Sequence, residues 1–149
     1  MTNTARSRSR AAARLAAVQA LYQRHMENTP LARLLDEFHQ HRLGETIEDV
    51  EYLDADIDFF NDVVRGVAAR DEEIDTLLQE RLAEGWSLTR LDRTLLQILR
   101  AGAYELLARP DVPTGTAISE YVDVAHAFFD EREAKFVNGV LDAVAKAVR

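Results

Sequence analysis

The segment from Leu91 to Ala108 constrains the fold of this chain more than any other. Drawn as a helix, it carries apolar residues on nearly every side, at Leu91, Leu95, Leu96, Ile98, Leu99, Ala103, Leu106 and Leu107. A helix of this kind is stable only when other elements cover it all round. Gly102 costs about 1 kcal/mol relative to alanine inside a helix, so we expect a neighbouring helix to approach closely there. The segment predicts a central, buried helix that Ser87 or Asp92 caps.

Six further segments repeat apolar residues at intervals of three and four, which is the spacing of one helix face. These stripes occupy residues 15–22, 31–38, 57–67, 74–82, 118–129 and 136–148. No stretch shows a convincing strand pattern. The sequence therefore predicts an all-α fold of about seven helices and no sheet, with an interior that includes Leu99, Leu106, Ile118, Val140 and Leu141.

Composition indicates a soluble cytoplasmic protein. The 149 residues are enough for one compact domain, and 47% of them are hydrophobic. The absence of cysteine excludes disulfides and thiolate chemistry and suits a reducing compartment. No apolar run reaches the length of a membrane span, and the N-terminus lacks the apolar core of a signal peptide.

Charge is distributed unevenly along the chain. Residues 1–26 contain five arginines and no acid, a charge of +5, whereas the rest carries −13, for a net charge of −8. We predict that residues 2–10 form a mobile basic arm that becomes helical near Ala11, and that Arg6, Arg8, Arg10 and Arg14 are dispensable for folding. A basic arm on an acidic body favours a localised site for an anion, because salt screens each field within about 8–10 Å.

The sequence offers little support for catalysis, a metal or a cofactor. It contains no nucleotide-binding glycine motif, no zinc-protease motif and no recognisable nucleophile. His39 and His41 are two residues apart, so a helix would point them to different faces. The acidic stretch 45–58 lacks the glycine turn and the final glutamate of a calcium-binding EF-hand loop, and we predict a solvated loop followed by a helix start. Binding is the better class of function.

The first turn of the last helix combines a cation, an aromatic ring and an amide, in Lys135, Phe136 and Asn138. RNA sites use charge for phosphate, rings for stacking and amides for base edges. The alternative is that Phe136 belongs to the core and Lys135 only to the solvated surface.

These residues belong to a series of segments that resembles the NusB family of transcription antitermination factors. The series follows an arginine-rich start and includes Trp86 and Arg90 at the family's spacing. Its segments are Ala17-Val18-Gln19-Ala20-Leu21-Tyr22, Phe60-Asn61-Asp62-Val63-Val64-Arg65-Gly66-Val67, Ile98-Leu99-Arg100-Ala101-Gly102-Ala103-Tyr104-Glu105-Leu106, Asp111-Val112-Pro113, Ala117-Ile118-Ser119-Glu120 and Lys135-Phe136-Val137-Asn138-Gly139-Val140-Leu141. The match covers nearly the whole chain in order.

The resemblance implies two small packed helical bundles without catalytic activity. NusB-like proteins pair with the ribosomal protein NusE, and the pair binds boxA RNA in ribosomal RNA leader transcripts and helps RNA polymerase resist termination. By position, the residues that form or border the RNA-binding side are Arg6, Arg8, Arg10, Arg14, Tyr22, Arg100, Phe128, Lys135 and Phe136. We expect one domain over residues 1–149, with a basic arm over about 1–10 and helical subdomains over about 11–70 and 71–149.

The chain departs from the family pattern at two places. Leu95 and Leu96 stand where the family often has a polar pair, so we expect Leu95 to be solvent-accessible and to be covered by the partner protein. Arg132 lies in a segment that is commonly more acidic. Two alternatives remain: the N-terminal domain of a ribosomal RNA cytosine methyltransferase, which the end of the sequence at Arg149 disfavours, and a self-associating module, such as a homodimer, that binds no RNA.

Overall fold

The computed structural model describes residues 3–41, 46–47, 50–51 and 56–149. Within these ranges it confirms the seven predicted helices. They are α1 (Asn3–Glu27), α2 (Leu31–His41), α3 (Ile57–Ala69), α4 (Asp71–Gln79), α5 (Arg93–Ala108), α6 (Thr114–Phe128) and α7 (Glu131–Val148). A single 3₁₀ turn, Leu88–Arg90, precedes α5. None of the helices in the described part of the chain is both long and apolar enough to cross a membrane.

A short β ladder lies between α2 and α3, where the sequence indicated no sheet. Strands β1 (Thr46–Ile47) and β2 (Val50–Glu51) pair antiparallel, with Thr46 opposite Glu51 and Ile47 opposite Val50. Two residues per strand are too few to produce a visible alternation in the sequence. Most of the solvated loop that was predicted for the acidic stretch 45–58 lies outside the described residues.

The chain divides into two compact units, residues 1–65 and 66–149, a few residues before the division near residue 70 that the sequence suggested. In unit 1, α1 packs on α2. The rings of Phe38 and Phe60 stack with centroids 5.6 Å apart. His39 Nε2 lies 2.6 Å from Asn61 Oδ1, so His39 has a structural partner, while the side chain of His41 lies outside the described part.

The predicted mobile arm is wrong for residues 3–10, because α1 already begins at Asn3. The guanidinium groups of Arg10 and Arg14 lie 4.7 and 4.8 Å from the centroid of the Phe59 ring, which is a cation–π distance. Arg10 Nε also lies 3.8 Å from Asp56 Oδ2, and the backbone N–H of Asp56 donates to the carbonyl of Ser9. These contacts hold the start of α1 in helical form.

Unit 2 is built around α5, which packs against α4, α6 and α7. Residues 95–99 and 101–106 are all buried, which confirms a buried central helix; the polar Gln97 and Glu105 are buried with the apolar residues, and Leu107 is half-buried. The carboxylate of Asp92 caps the helix by accepting from the N–H groups of Thr94 and Leu95 at 2.8 and 3.1 Å. All five predicted interior residues, Leu99, Leu106, Ile118, Val140 and Leu141, are buried.

Gly102 lies where α7 packs closely against α5. A Cβ atom at this position would come within 2.7 Å of Leu141 Cδ1 and 3.3 Å of Tyr121 Cδ2. The predicted close approach is therefore confirmed. One turn along α5, the hydroxyl of Tyr121 donates a short hydrogen bond to the fully buried carboxylate of Glu105, which satisfies a polar group in an otherwise apolar interface.

The side chain of Arg149 binds backbone carbonyls at the end of α5 in unit 2. Its guanidinium donates to the carbonyls of Leu106 (2.9 Å), Glu105 (3.2 Å), Arg109 (2.7 Å) and Val112 (2.6 Å), and to the hydroxyl of Thr114. The last carbonyls of a helix lack intrahelical donors, and a cation there also complements the helix dipole. Arg149 thus caps α5 from a distant part of the chain.

Candidate nucleic-acid interface

The start of α7 carries the residues that the sequence singled out for RNA. Its buried stripe runs through Ala134, Val137, Val140, Leu141, Val144 and Ala145. This register leaves Lys135 and Asn138 exposed and Phe136 half-buried. Phe136 is therefore not a fully buried core ring, as the alternative required.

Phe136 lies on one wall of an apolar groove of about 470 Å³. The groove is lined by Leu82, Ala83, Trp86, Leu91, Leu95, Arg132, Glu133 and Phe136. Trp86 is 54% exposed, although exposing so large an apolar ring to water costs free energy. In the sequence, Trp86 stood out only through the spacing of the family resemblance; the signal for a surface role was its position beside Gly85, outside any helical stripe.

The expectation that Leu95 is solvent-accessible is wrong, because its side chain is only 7% exposed. Leu95 lies on α5, and other groove residues come from the first two turns of α7 and from the segment before α5. It lines a concave surface. A partner that contacts Leu95 must therefore insert a side chain into the groove.

The arginines that were predicted to bind RNA fall into two groups: some are exposed to solvent, and the guanidinium groups of the others already contact residues of this chain. Arg6 and Arg8 are exposed on α1. Arg14 is 2% exposed and packs on Phe59 with Arg10. The guanidinium of Arg100 forms a two-pronged ion pair with Asp75, at 2.9 and 2.8 Å, so part of its hydrogen-bonding capacity is already used inside unit 2.

The two remaining aromatic candidates are both exposed. Tyr22 lies on α1 in unit 1, and Phe128 lies at the end of α6 in unit 2, with its ring centroid 6.5 Å from that of Phe129. Phe128 borders a polar hollow of about 390 Å³ with His126, Asp130 and Glu133. Unit 1 thus contains Arg6, Arg8, Arg10, Arg14 and Tyr22, and unit 2 contains Arg100, Phe128, Lys135 and Phe136.

The comparisons with known proteins agree with this architecture. A sequence model of the NusB family matches residues 11–146. The chain belongs to the NusB family. Transcription antitermination protein NusB of Novosphingobium aromaticivorans is 76% identical over 142 residues, which cover 95% of this chain and 96% of that protein. The family resemblance seen in the sequence is therefore confirmed.

Two solved NusB structures share the fold. The structure of T. maritima NusB has a TM-score of 0.75 at 32% identity and covers 92% of this chain and 90% of its own. A chain from the complex of antitermination factors NusB and NusE with double-stranded RNA has a TM-score of 0.74 at 27% identity, with 94% and 98% covered. Membership of the NusB family makes this chain a transcription antitermination factor.

Proposed function

We propose that this chain pairs with the ribosomal protein NusE in the cytoplasm and binds boxA RNA of ribosomal RNA leader transcripts. In this role the pair helps RNA polymerase resist termination. The proposal rests on RNA and partner recognition and assigns no catalytic role, metal or cofactor to the chain.

The observation that carries the proposal is the second turn of α7, one turn later than the sequence placed it. Lys135, Phe136 and Asn138 lie within one helical turn, with the cation and the amide exposed and the ring half-buried. A base stacked on Phe136 would have a phosphate-binding ammonium and a hydrogen-bonding amide nearby. The NusB relative solved with NusE and double-stranded RNA supports a nucleic-acid partner for this fold.

We assign the NusE contact to the groove that Leu95 and Trp86 line. An exposed tryptophan beside buried leucines is typical of the centre of a protein interface, where aromatic anchors supply much of the binding free energy. Phe136 forms part of the same groove, so RNA and protein contacts would adjoin at this ring. Experiments on Phe136 therefore need separate measurements of RNA affinity and of NusE pairing.

Phe136→Ala is expected to weaken boxA binding by the NusE complex by about 1–3 kcal/mol, the range for losing one base–aromatic stack. Phe136→Tyr, which keeps the ring, should retain the affinity. Phe136→Leu keeps apolar volume for the groove but removes the ring, so it should behave like Phe136→Ala toward RNA. The measurements are titrations with boxA and scrambled RNA, with melting temperatures and NusE affinity recorded for each variant.

A Phe136→Leu variant with unchanged boxA affinity would contradict stacking at this position. A loss of about 3–5 kcal/mol of folding stability in Phe136→Ala would instead identify a core ring.

The exposed arginines of α1 carry a second prediction. Arg6→Ala with Arg8→Ala should weaken boxA and scrambled RNA about equally, because phosphate contacts carry no base identity. If each arginine neutralises one phosphate of a single strand, the salt slope should flatten by about 1.4, or 0.7 per contact. Arg33→Ala with Arg65→Ala is the matched control, since it removes the same charge from exposed positions elsewhere in unit 1.

An unchanged salt slope in the Arg6 and Arg8 double variant would show that these arginines make no phosphate contact. Replacing Arg10 and Arg14 as well is no longer a clean test. The four arginines were expected to be dispensable for folding, but two of them pack on Phe59, so their loss would also destabilise unit 1.

A further inference from the structure

Gly139 is a helical glycine that the fold of unit 2 does not explain. It lies in the middle of α7, is exposed, and has no positive φ angle. A Cβ atom built at this position would meet nothing within 4 Å. Glycine in the middle of a helix is less stable than alanine, so this position keeps a destabilising residue without an internal reason.

The other glycines on the helices provide the comparison. A Cβ at Gly102 would strike Leu141, and a Cβ at Gly66 would strike the ring of Tyr104. These two glycines make room for neighbours within unit 2. Gly115 is also open, but it is the second residue of α6, where the backbone N–H groups are not yet part of the helical ladder.

The face around Gly139 carries positive charge. Arg132 and Lys135 lie two turns and one turn before it, and Lys146 lies two turns after it; all three are exposed. Among the acids that the structure places, none forms an ion pair with Arg132 or Lys135. Asp142, the nearest acid on this face, is paired with Lys146 at 3.1 Å. On a chain of net charge −8, such a face favours a polyanion.

We propose that Gly139 is an RNA-contact residue, against which the sugar–phosphate chain of the bound RNA packs directly on the backbone of α7. Phe136 lies three residues earlier, so a strand whose base stacks on that ring reaches Gly139 roughly 4.5 Å further along the helix axis. Lys135 binds the adjoining phosphate. The absent side chain lets ribose or phosphate atoms contact the helix at Cα, closer than a methyl group permits.

This inference rests on the proposed RNA binding and has a test of its own, because Gly139→Ala should change stability and affinity in opposite directions. The melting temperature should rise by about 2–4 °C, the shift that corresponds to replacing an open helical glycine. BoxA affinity of the NusE complex should fall about five- to thirtyfold, the effect of forcing a methyl group into a close contact. Scrambled RNA that is still bound should lose affinity to the same extent.

Gly115→Ala is the matched control, since it also adds a methyl group in open space. It should leave RNA affinity unchanged. NusE pairing without RNA is measured for both variants and should be unaffected.

Four results would overturn the assignment of Gly139. If Gly139→Ala keeps full boxA affinity while Phe136→Ala loses affinity as expected, the RNA does not contact Gly139, and the proposed function still holds. A fall in melting temperature shows that the fold itself needs the glycine. A loss confined to NusE pairing assigns the face to the protein partner. Absence of boxA binding by the wild-type complex removes both the contact and the proposed function.

Discussion

Val140→Asp should destabilise the chain by about 3–5 kcal/mol, the cost of leaving a charge buried without a partner. Val140 is 6% exposed on the buried stripe of α7, and α7 packs on both α5 and α6. A carboxylate at this position would have little access to water. Thermal or denaturant unfolding measures the loss directly.

Asn138→Asp is the control for Val140→Asp. It introduces the same charge two residues earlier, on the exposed face of the same helix, and should change the free energy of unfolding by about 0.5 kcal/mol or less. Similar melting temperatures for the two variants would show that the register of α7 is wrong.

Gly66→Ala should cost about 2–3 kcal/mol through overpacking. The new Cβ would lie below 3.0 Å from Cζ, Cε1 and the hydroxyl oxygen of Tyr104. Tyr104 is itself buried, so its ring cannot turn away into solvent. Gly115→Ala adds the same methyl group where nothing lies within 4 Å, and should not destabilise.

A double-mutant cycle separates the clash from any other effect at Gly66. In a Tyr104→Ala background the ring is gone, and Gly66→Ala should then cost close to nothing, which gives a coupling free energy of about 2 kcal/mol between the two sites. Equal costs in both backgrounds would show that the methyl group and the ring do not meet.

The helices and the core were predictable because their signals are local. A stripe of apolar residues at helical spacing identifies both an element and its buried face, as in α7 and α5. Gly102 could also be interpreted from the sequence. A glycine inside an apolar helix indicates either a locally less stable helix or a closely packed neighbour, and the position of Leu141 shows that it is a closely packed neighbour.

Features that depend on residues far apart in the chain could not be predicted. The start of α1 depends on Asp56 and Phe59, more than forty residues from Arg10 and Arg14. The ion pair that engages Arg100 comes from Asp75 on another helix. Leu95 was misplaced for a different reason: a helix that is apolar all round has no polar face from which to infer which side is covered.

The candidate site was accessible to sequence reasoning only in part. Lys135, Phe136 and Asn138 stood out because an exposed cation and amide beside a ring do not serve packing. Trp86 did not stand out as a site residue, because the segment that contains it has no helical or strand periodicity from which an exposed face could be inferred. Gly139 gave no signal either, since the sequence cannot distinguish a glycine filled by a neighbour from one that faces open space.

The contacts of Arg149 have a consequence for synthesis of the chain on the ribosome. Helices α5, α6 and α7 complete unit 2, and Arg149 donates to the carbonyls of Glu105 and Leu106 in the last turn of α5 and of Arg109 and Val112 just after it. A nascent chain that stops short of this residue lacks these four side-chain hydrogen bonds. Unit 2 can therefore gain these hydrogen bonds only after translation of residue 149, whereas the contacts of α1 with Asp56 and Phe59 can form while α5 to α7 are still being made.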